Sequence, residues 1–209
     1  MHKVVRPKML YFGTPVVLIS TLNPDGSPNL APMSSAWWLG DACLLGMSRR
    51  SRTVENLTRE GECVLNLPSQ AQAAAVDRLA LLTGSDPVPP YKAAMGYRHE
   101  ARKFEAAGLT PVPAELVKPP RALECPVHLE TRLRAVHGVG APDSHLAALE
   151  VQVLRVHIEE TLMLPREGDY VDPERWRPLI MSLCDFFGLE GGPLLPSRLA
   201  RAWRPPVAS

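Results

Sequence analysis

Residues Asn29 to Pro68 read NLAPMSSAWWLGDACLLGMSRRSRTVENLTREGECVLNLP, and this stretch decides the fold. It begins as a strand of small, hydroxyl-bearing and aromatic residues, Asn29 to Trp38, that ends at Gly40 and Asp41. Ala42 to Met47 then reads as a further strand running into the turn Ser48, Arg49, Arg50, Ser51, Arg52 and Thr53. Ser51 or Thr53 can cap a helix with Val54, Leu57 and Thr58 on one face, and Gly61 is the residue type that commonly ends one. Glu62 to Leu67 follows as a fourth strand. The turn sets three guanidinium groups and three hydroxyls within six residues, beside the free N–H groups of a helix start. Such a corner favours a bound phosphate through charge-assisted bonds and the positive end of the helix dipole.

Upstream, Pro15 to Leu22 (PVVLISTL) is apolar and β-branched, and Asn23-Pro24-Asp25-Gly26 has the chemistry of a tight hairpin turn. With Asn29–Trp38 and Ala42–Met47 the pattern predicts a three-stranded antiparallel meander. Downstream it predicts a helix over Ser69–Thr83 stopped by Gly84, a proline-rich loop, a short helix over Arg98–Ala107 ending at Gly108, and an extended Pro111–Pro120. Two long strands follow, Cys125–Val136 and His145–Ile158, with a slip of the alternating phase near Leu154 that suggests a bulge. Pro173–Phe187 reads as helical before the Gly191-Gly192 break. The fold expected is mainly β with inserted helices, closed or partly closed into a barrel that avoids long exposed edges.

The chain of 209 residues suits one domain, here residues 1–190, followed by a Pro/Arg-rich tail over 191–209. Its 23 basic and 22 acidic residues nearly cancel, which removes the field that drives non-specific binding to nucleic acid or anionic membranes. The basic start is broken by Arg6, Pro7 and Lys8, so no signal-peptide core forms, and no segment has the apolar run of a membrane helix. A soluble, cytoplasmic protein is expected. Cys43, Cys63, Cys125 and Cys184 are widely spaced and read as free buried thiols, with no metal-ligand spacing. The 22 prolines lie mainly between elements, where they stiffen loops.

Competing chemistries find little support. Asp143, Ser144 and His145 are consecutive and cannot easily form a nucleophile, base and orienter, and there is no GxSxG elbow. His128, His137, His145 and His157 sit in the two long strands and are read as ordinary strand or turn histidines. Trp37 and Trp38 are adjacent, so a regular strand points them to opposite faces. Lys103 and Phe104 suit an active-site rim, although packing of a helix face also explains Phe104. In the tail, Arg198, Arg201 and Arg204 suggest a solvated face.

Taken together, NLAPMSSAWW, SRRSRT with VENL and GECVLNLP, KFEAAGLTPVP (Lys103–Pro113), and CPVHLETRL with ALEVQVLRVHIEE resemble, in order and spacing, the flavin reductase-like family of FMN-binding split barrels, or flavoredoxin group. The resemblance covers roughly residues 10–190. It implies a six-stranded antiparallel Greek-key barrel, a homodimer, FMN near the dimer interface, and reduction by NADH or NADPH. By position, Ala31, Pro32, Met33, Ser34, Ser35, Ala36 and Trp37 resemble the strand that faces the isoalloxazine and ribityl chain. Ser48, Arg50, Ser51, Arg52 and Thr53 resemble the phosphate turn, with Asn56 on its helix. Three arginines stand where the family often shows one basic residue, so which of them grips the phosphate stays open.

Flavin chemistry belongs to the cofactor, so the chain need only hold the ring, tune it and leave one face open. No GxGxxG run follows a strand, and a nicotinamide dinucleotide is therefore expected to bind transiently over the flavin. The reductase expected here passes electrons to free flavin or another acceptor. The alternatives are an FMN carrier or electron-transfer flavoprotein, and a barrel of this fold that has lost flavin.

Overall fold

A computed structural model describes residues 1–165, 169–189, 191–195, 197, 198 and 200. Arg201 and Arg204 of the tail lie outside the described residues. After β1 (Phe12–Pro15) come β2 (Val17–Leu22), β3 (Pro28–Met33), β4 (Ala36–Leu39), β5 (Ala42–Ser48), α1 (Arg52–Glu60) and β6 (Glu62–Leu67). The middle of the chain carries α2 (Ala73–Arg78), β7 (Leu82–Thr83), α3 (Pro90–Ala93), β8 (Arg98–His99), α4 (Lys103–Ala107), β9 (Pro111–Val112) and β10 (Arg121–Ala122). Two 13-residue strands, β11 (Val127–Val139) and β12 (Leu146–Ile158), precede the short β13 (Ile180–Ser182) and β14 (Asp185–Phe187).

The main sheet has seven strands in the order β3-β2-β6-β11-β12-β5-β4. Its two edge strands are consecutive in the chain, separated only by Ser34 and Ser35, so the edges meet there and the sheet curls into a barrel. The expected single strand over Asn29–Trp38 is thus broken in two, and the meander does not form: β3 pairs with β2 while β4 pairs with β5. Gly46 permits the passage. Its N–H donates to the Ser35 carbonyl at 2.7 Å, and a Cβ on it would lie 3.0 Å from Ser35 Cβ.

β2 explains why Val16 to Ile19 are apolar without alternation. Val17 and Ile19 face the barrel interior with Leu45, Leu65 and Leu149, whereas Val16 and Leu18 face an outer layer built from α2, α4 and Leu179. A strand covered on both faces alternates between two cores and shows no polar phase. Helix α1 closes one end of the barrel by burying Val54 and Leu57 in the inner core, each worth roughly 1.5–3 kcal/mol.

The bulge expected near Leu154 is present. Glu130 pairs with Arg155 and Thr131 with Val153, which leaves Leu154 without a partner. Trp37 is exposed while Trp38 packs on the inner core, as opposite-facing neighbours should. Other expectations are corrected. The helix over Ser69–Thr83 is shorter, because α2 ends at Arg78 and Leu81 turns through a positive φ of 58° before β7. Arg98 and His99 pair in parallel with β7, so only Lys103–Ala107 of the following segment is helical. Pro111–Pro120 is extended only at β9. Pro173–Phe187 is not a helix: Leu183 adopts φ 56° at the tip of the β13–β14 hairpin, and β13 pairs with β1. Cys43, Cys63 and Cys125 are buried, with thiols pushed up to about 12 chiefly by burial, but Cys184 is exposed.

Candidate functional site

The Ser/Arg turn folds as its residues dictate. Ser48 Oγ accepts from the Arg50 N–H at 3.3 Å, and its carbonyl accepts from the Ser51 N–H at 3.0 Å. Ser51 is the N-cap of α1, its hydroxyl accepting from the Val54 N–H at 3.2 Å and its carbonyl from the Glu55 N–H at 3.1 Å. The first N–H groups of a helix have no intrahelical acceptor. Among the described residues those of Arg52 and Thr53 have no acceptor and lie beside the Ser51 hydroxyl.

The arginines separate. Arg52 is anchored, its Nε donating to the Gly84 carbonyl at 3.2 Å and its Nη1 lying 3.0 Å from Glu55 Oε2. Arg49 and Arg50 are exposed, and among the described residues neither has a carboxylate within ion-pair distance. Thr53 and Asn56 belong to a buried polar network: Asn29 Nδ2 donates to Thr21 Oγ1 and Thr53 Oγ1, both at 3.2 Å, and Asn56 Nδ2 donates to Thr21 Oγ1 at 3.1 Å and Asn23 Oδ1 at 3.0 Å. Asn56 Oδ1 accepts from Arg59 at 3.1 Å, so this side chain is spent on positioning. Asn29 Oδ1 is buried and has no hydrogen-bond partner among the described residues.

The segment between β6 and β9 brings further charge to the same corner. Gly84 packs so closely that a Cβ would lie 2.7 Å from Asn29 Oδ1 and 3.1 Å from Arg52 Cγ. Beside it, Lys92 Nζ donates to Thr83 Oγ1 at 3.2 Å. Lys103, first residue of α4, is only 4 % exposed, and among the described residues no anion or acceptor pairs with its ammonium. Burial, then the neighbouring charges of Lys92 and Arg52, push it down to about 8. Burial also lowers Lys92. The Lys92 and Lys103 ammoniums and two helix N–H groups without an intrahelical acceptor converge on one corner, which fits a phosphate dianion.

The strand Ala31–Trp37 is placed alongside. Asn29 links the start of β3 to Thr53, and Ser35 is fixed by the Gly46 bond, by Tyr11, whose hydroxyl lies 2.7 Å from Ser35 Oγ, and by Met33 Sδ, 3.0 Å from its N–H. Ala31, Pro32, Met33 and Ser34 are half-buried, Ala36 belongs to the inner core, and Trp37 is half exposed. With Arg49, Arg50 and Trp37 exposed and Ala31–Ser35 half-buried, this surface is partly open in the single chain. Sequence reasoning missed Asn29 and gave Lys103 only a rim. The signal available was a lysine beside Phe104 at a helix start.

The flavin reductase like domain matches residues 9–172, and the chain belongs to that family, a family of flavin-linked redox proteins. Uncharacterized protein YdfE of Bacillus subtilis (strain 168) is 37% identical over 187 residues, covering 90% of this chain and 89% of that one. The structure resembles flavoredoxin of Desulfovibrio vulgaris (Miyazaki F), with a TM-score of 0.76 and 21% identity over 97% of this chain and 100% of the other. It also resembles a protein described as a flavin reductase with split barrel domain from Shewanella frigidimarina NCIMB 400, with a TM-score of 0.70 and 18% identity over 88% and 86% of the two chains. The fold is the split barrel.

Proposed function

We propose that this chain is an FMN-binding reductase that anchors the flavin by its phosphate at the start of α1. The observation that carries the reading is the gathering of Arg52, Lys92 and Lys103 around the N–H groups of Arg52 and Thr53, three cations of which only Arg52 is ion-paired, to Glu55, among the described residues. Ser51 keeps its hydroxyl hydrogen for the phosphate because it caps α1 only as an acceptor. Asn29 and Asn56 hold the corner in place, and Arg50 reaches the same phosphate from the exposed side of the turn. From Asn29 to Ser35 runs about 20 Å of extended chain, along which a ribityl chain and ring can lie. Ala31, Pro32 and Met33 offer backbone and small apolar contacts there, and Ser34 offers a hydroxyl.

When bound, the flavin would supply the redox chemistry, taking hydride from NADH or NADPH and delivering electrons to free flavin or another acceptor. The chain's part is to bind, orient and shield. Because the strand surface is partly open in one chain, we assign its second wall to another copy, in a homodimer that places Trp37 at or near the contact. A cytoplasmic location accords with three buried free thiols, and among the described residues no helix is long and apolar enough to cross a membrane.

Comparing FMN with riboflavin tests the anchor. FMN should bind at least a hundredfold more tightly, because two or more charge-assisted bonds depend on its phosphate. Equal affinity would move the site away from this corner.

A further inference from the structure

A cavity of about 230 Å³ lies between β10, β11 and β12, with Arg121, Cys125, His128 and His157 on its walls, Leu123, Pro126 and Ile158 as apolar flanks, and the Glu159 carboxylate on its lining, where it disfavours an anion that Arg121 does not hold. It is separate from the Ser/Arg turn, and three strand pairings, His128 with Asn66, Asn66 with Leu18 and Leu18 with Pro32, stand between it and the strand proposed to face the flavin. Leu146, at the start of β12, pairs with Ser48, whereas His157 sits at the other end, about 35 Å along the strand.

His128 and His157 face each other across β11 and β12, with ring centroids 6.4 Å apart and planes at 69°. His157 is committed through Nε2, 2.6 Å from Glu130 Oε1. Glu130 is fully buried and accepts N–H bonds from Glu115 at 2.9 Å and Leu116 at 2.6 Å. His128 is 7 % exposed and its tautomer can be assigned. Asn66 Nδ2 donates to the Leu18 carbonyl at 3.0 Å and its Oδ1 accepts from the Ala122 N–H at 2.8 Å, which fixes the amide orientation. Oδ1 can only accept, so His128 Nδ1, 2.9 Å away, carries the proton. Burial and the nearby Arg121 charge push His128 down to about 4, so the ring is neutral and Nε2 is a bare acceptor. Among the described residues nothing donates to it.

Arg121 supplies the opposite need. Its Nε donates to the Pro113 carbonyl at 3.1 Å, and among the described residues no carboxylate lies within ion-pair distance of its remaining N–H groups. A guanidinium alone would accept any oxyanion. A neighbouring imidazole that can only accept asks that the same ligand also donate. The thiol of Cys125, pushed up to about 12 by burial, stays protonated and adds no anion. The volume is below the 300–1,000 Å³ of ordinary drug-sized sites, so the ligand is small.

We propose that this cavity binds a small hydroxylated oxyanion, its charge paired with Arg121 and its hydroxyl donating to His128 Nε2. Two sources share this chemistry, a short hydroxy acid and protonated inorganic phosphate. The test follows the His128 imidazole ¹⁵N resonances of the full chain at pH 7, with and without saturating FMN, during titration with glycolate, phosphate, acetate and sulfate. Glycolate or phosphate should shift Nε2 saturably, and the tighter of the two identifies the source. Acetate and sulfate, which lack a hydroxyl to donate, should bind about tenfold more weakly or less. Arg121→Gln, at the edge of the cavity, should weaken the binding at least tenfold and leave the fold intact. No saturable shift, equal shifts from all four anions, or unchanged binding in Arg121→Gln overturns the assignment. The readout is His128's own signal, so it is independent of whether FMN binds at α1.

Discussion

Lys103 is buried and, among the described residues, no carboxylate is ion-paired with its ammonium, only the charge of Glu100 acting in its favour from farther off. A charge in that position is costly unless a ligand compensates it. Lys103→Met should therefore have opposite effects on two properties. FMN affinity, measured by quenching of flavin fluorescence, should fall by about tenfold to a hundredfold. Stability of the flavin-free chain at pH 7, measured by urea unfolding, should rise by about 1–3 kcal/mol. The pH dependence follows from the same residue. Its value in the folded chain, about 8, lies below the ordinary 10.5, so between these values the unfolded chain holds more protons and the flavin-free fold gains stability as pH rises. A phosphate favours the charged form. FMN affinity should hence decline as pH is raised from 7 to above 8, and this decline should be absent from Lys103→Met. The sequence showed the Ser/Arg turn but not this residue's weight, because burial of Lys103 depends on how the segment after β6 folds back over α1. Asn29 was hidden for a related reason. At a strand start it reads as turn chemistry, and only the packing of Thr21 and Thr53 against it reveals a buried network.

Helix α1 is the element on which the site turns. Removing its cap by Ser51→Ala should lower stability by about 1 kcal/mol, read as a drop in Tm, and should weaken FMN binding beyond what that loss alone explains. Gly84→Ala tests the opposite side of the corner: the added methyl meets Asn29 Oδ1 at 2.7 Å, so Arg52 and Asn29 must shift. Flavin affinity should drop at least tenfold, with a stability cost of about 1–3 kcal/mol. Local signals sufficed for α1 and β6. Ser51 and Gly61 bracket the helix, and Glu62–Leu67 is the strand that the sequence pattern predicts. Pro173–Phe187 shows the limit of such signals. Its apolar residues suit a helix face as well as a strand, and pairing of Ile180–Ser182 with Phe12–Pro15, far away in the chain, decides between them.

Across the whole molecule, closure of the barrel through Ser34 and Ser35 leaves one broad face unroofed, with Trp37, Leu39 and Phe12 exposed nearby. The homodimer proposed above would cover this apolar surface. Light scattering of the purified chain should give twice the monomer mass, and a monomer at all concentrations would contradict the dimer assigned here. The barrel class was legible because strand lengths and turn chemistry are local, whereas the strand order was not: the hairpin of β2 and β3 and that of β4 and β5 sit at opposite ends of the sheet although they adjoin in sequence. The most direct measurement of the central claim is the visible absorption spectrum of the FMN-reconstituted chain before and after anaerobic NADH or NADPH. Protein-bound flavin that bleaches with either nucleotide is the expected result. A chain that takes up no flavin, or holds one that neither nucleotide bleaches, would contradict the reductase proposed here.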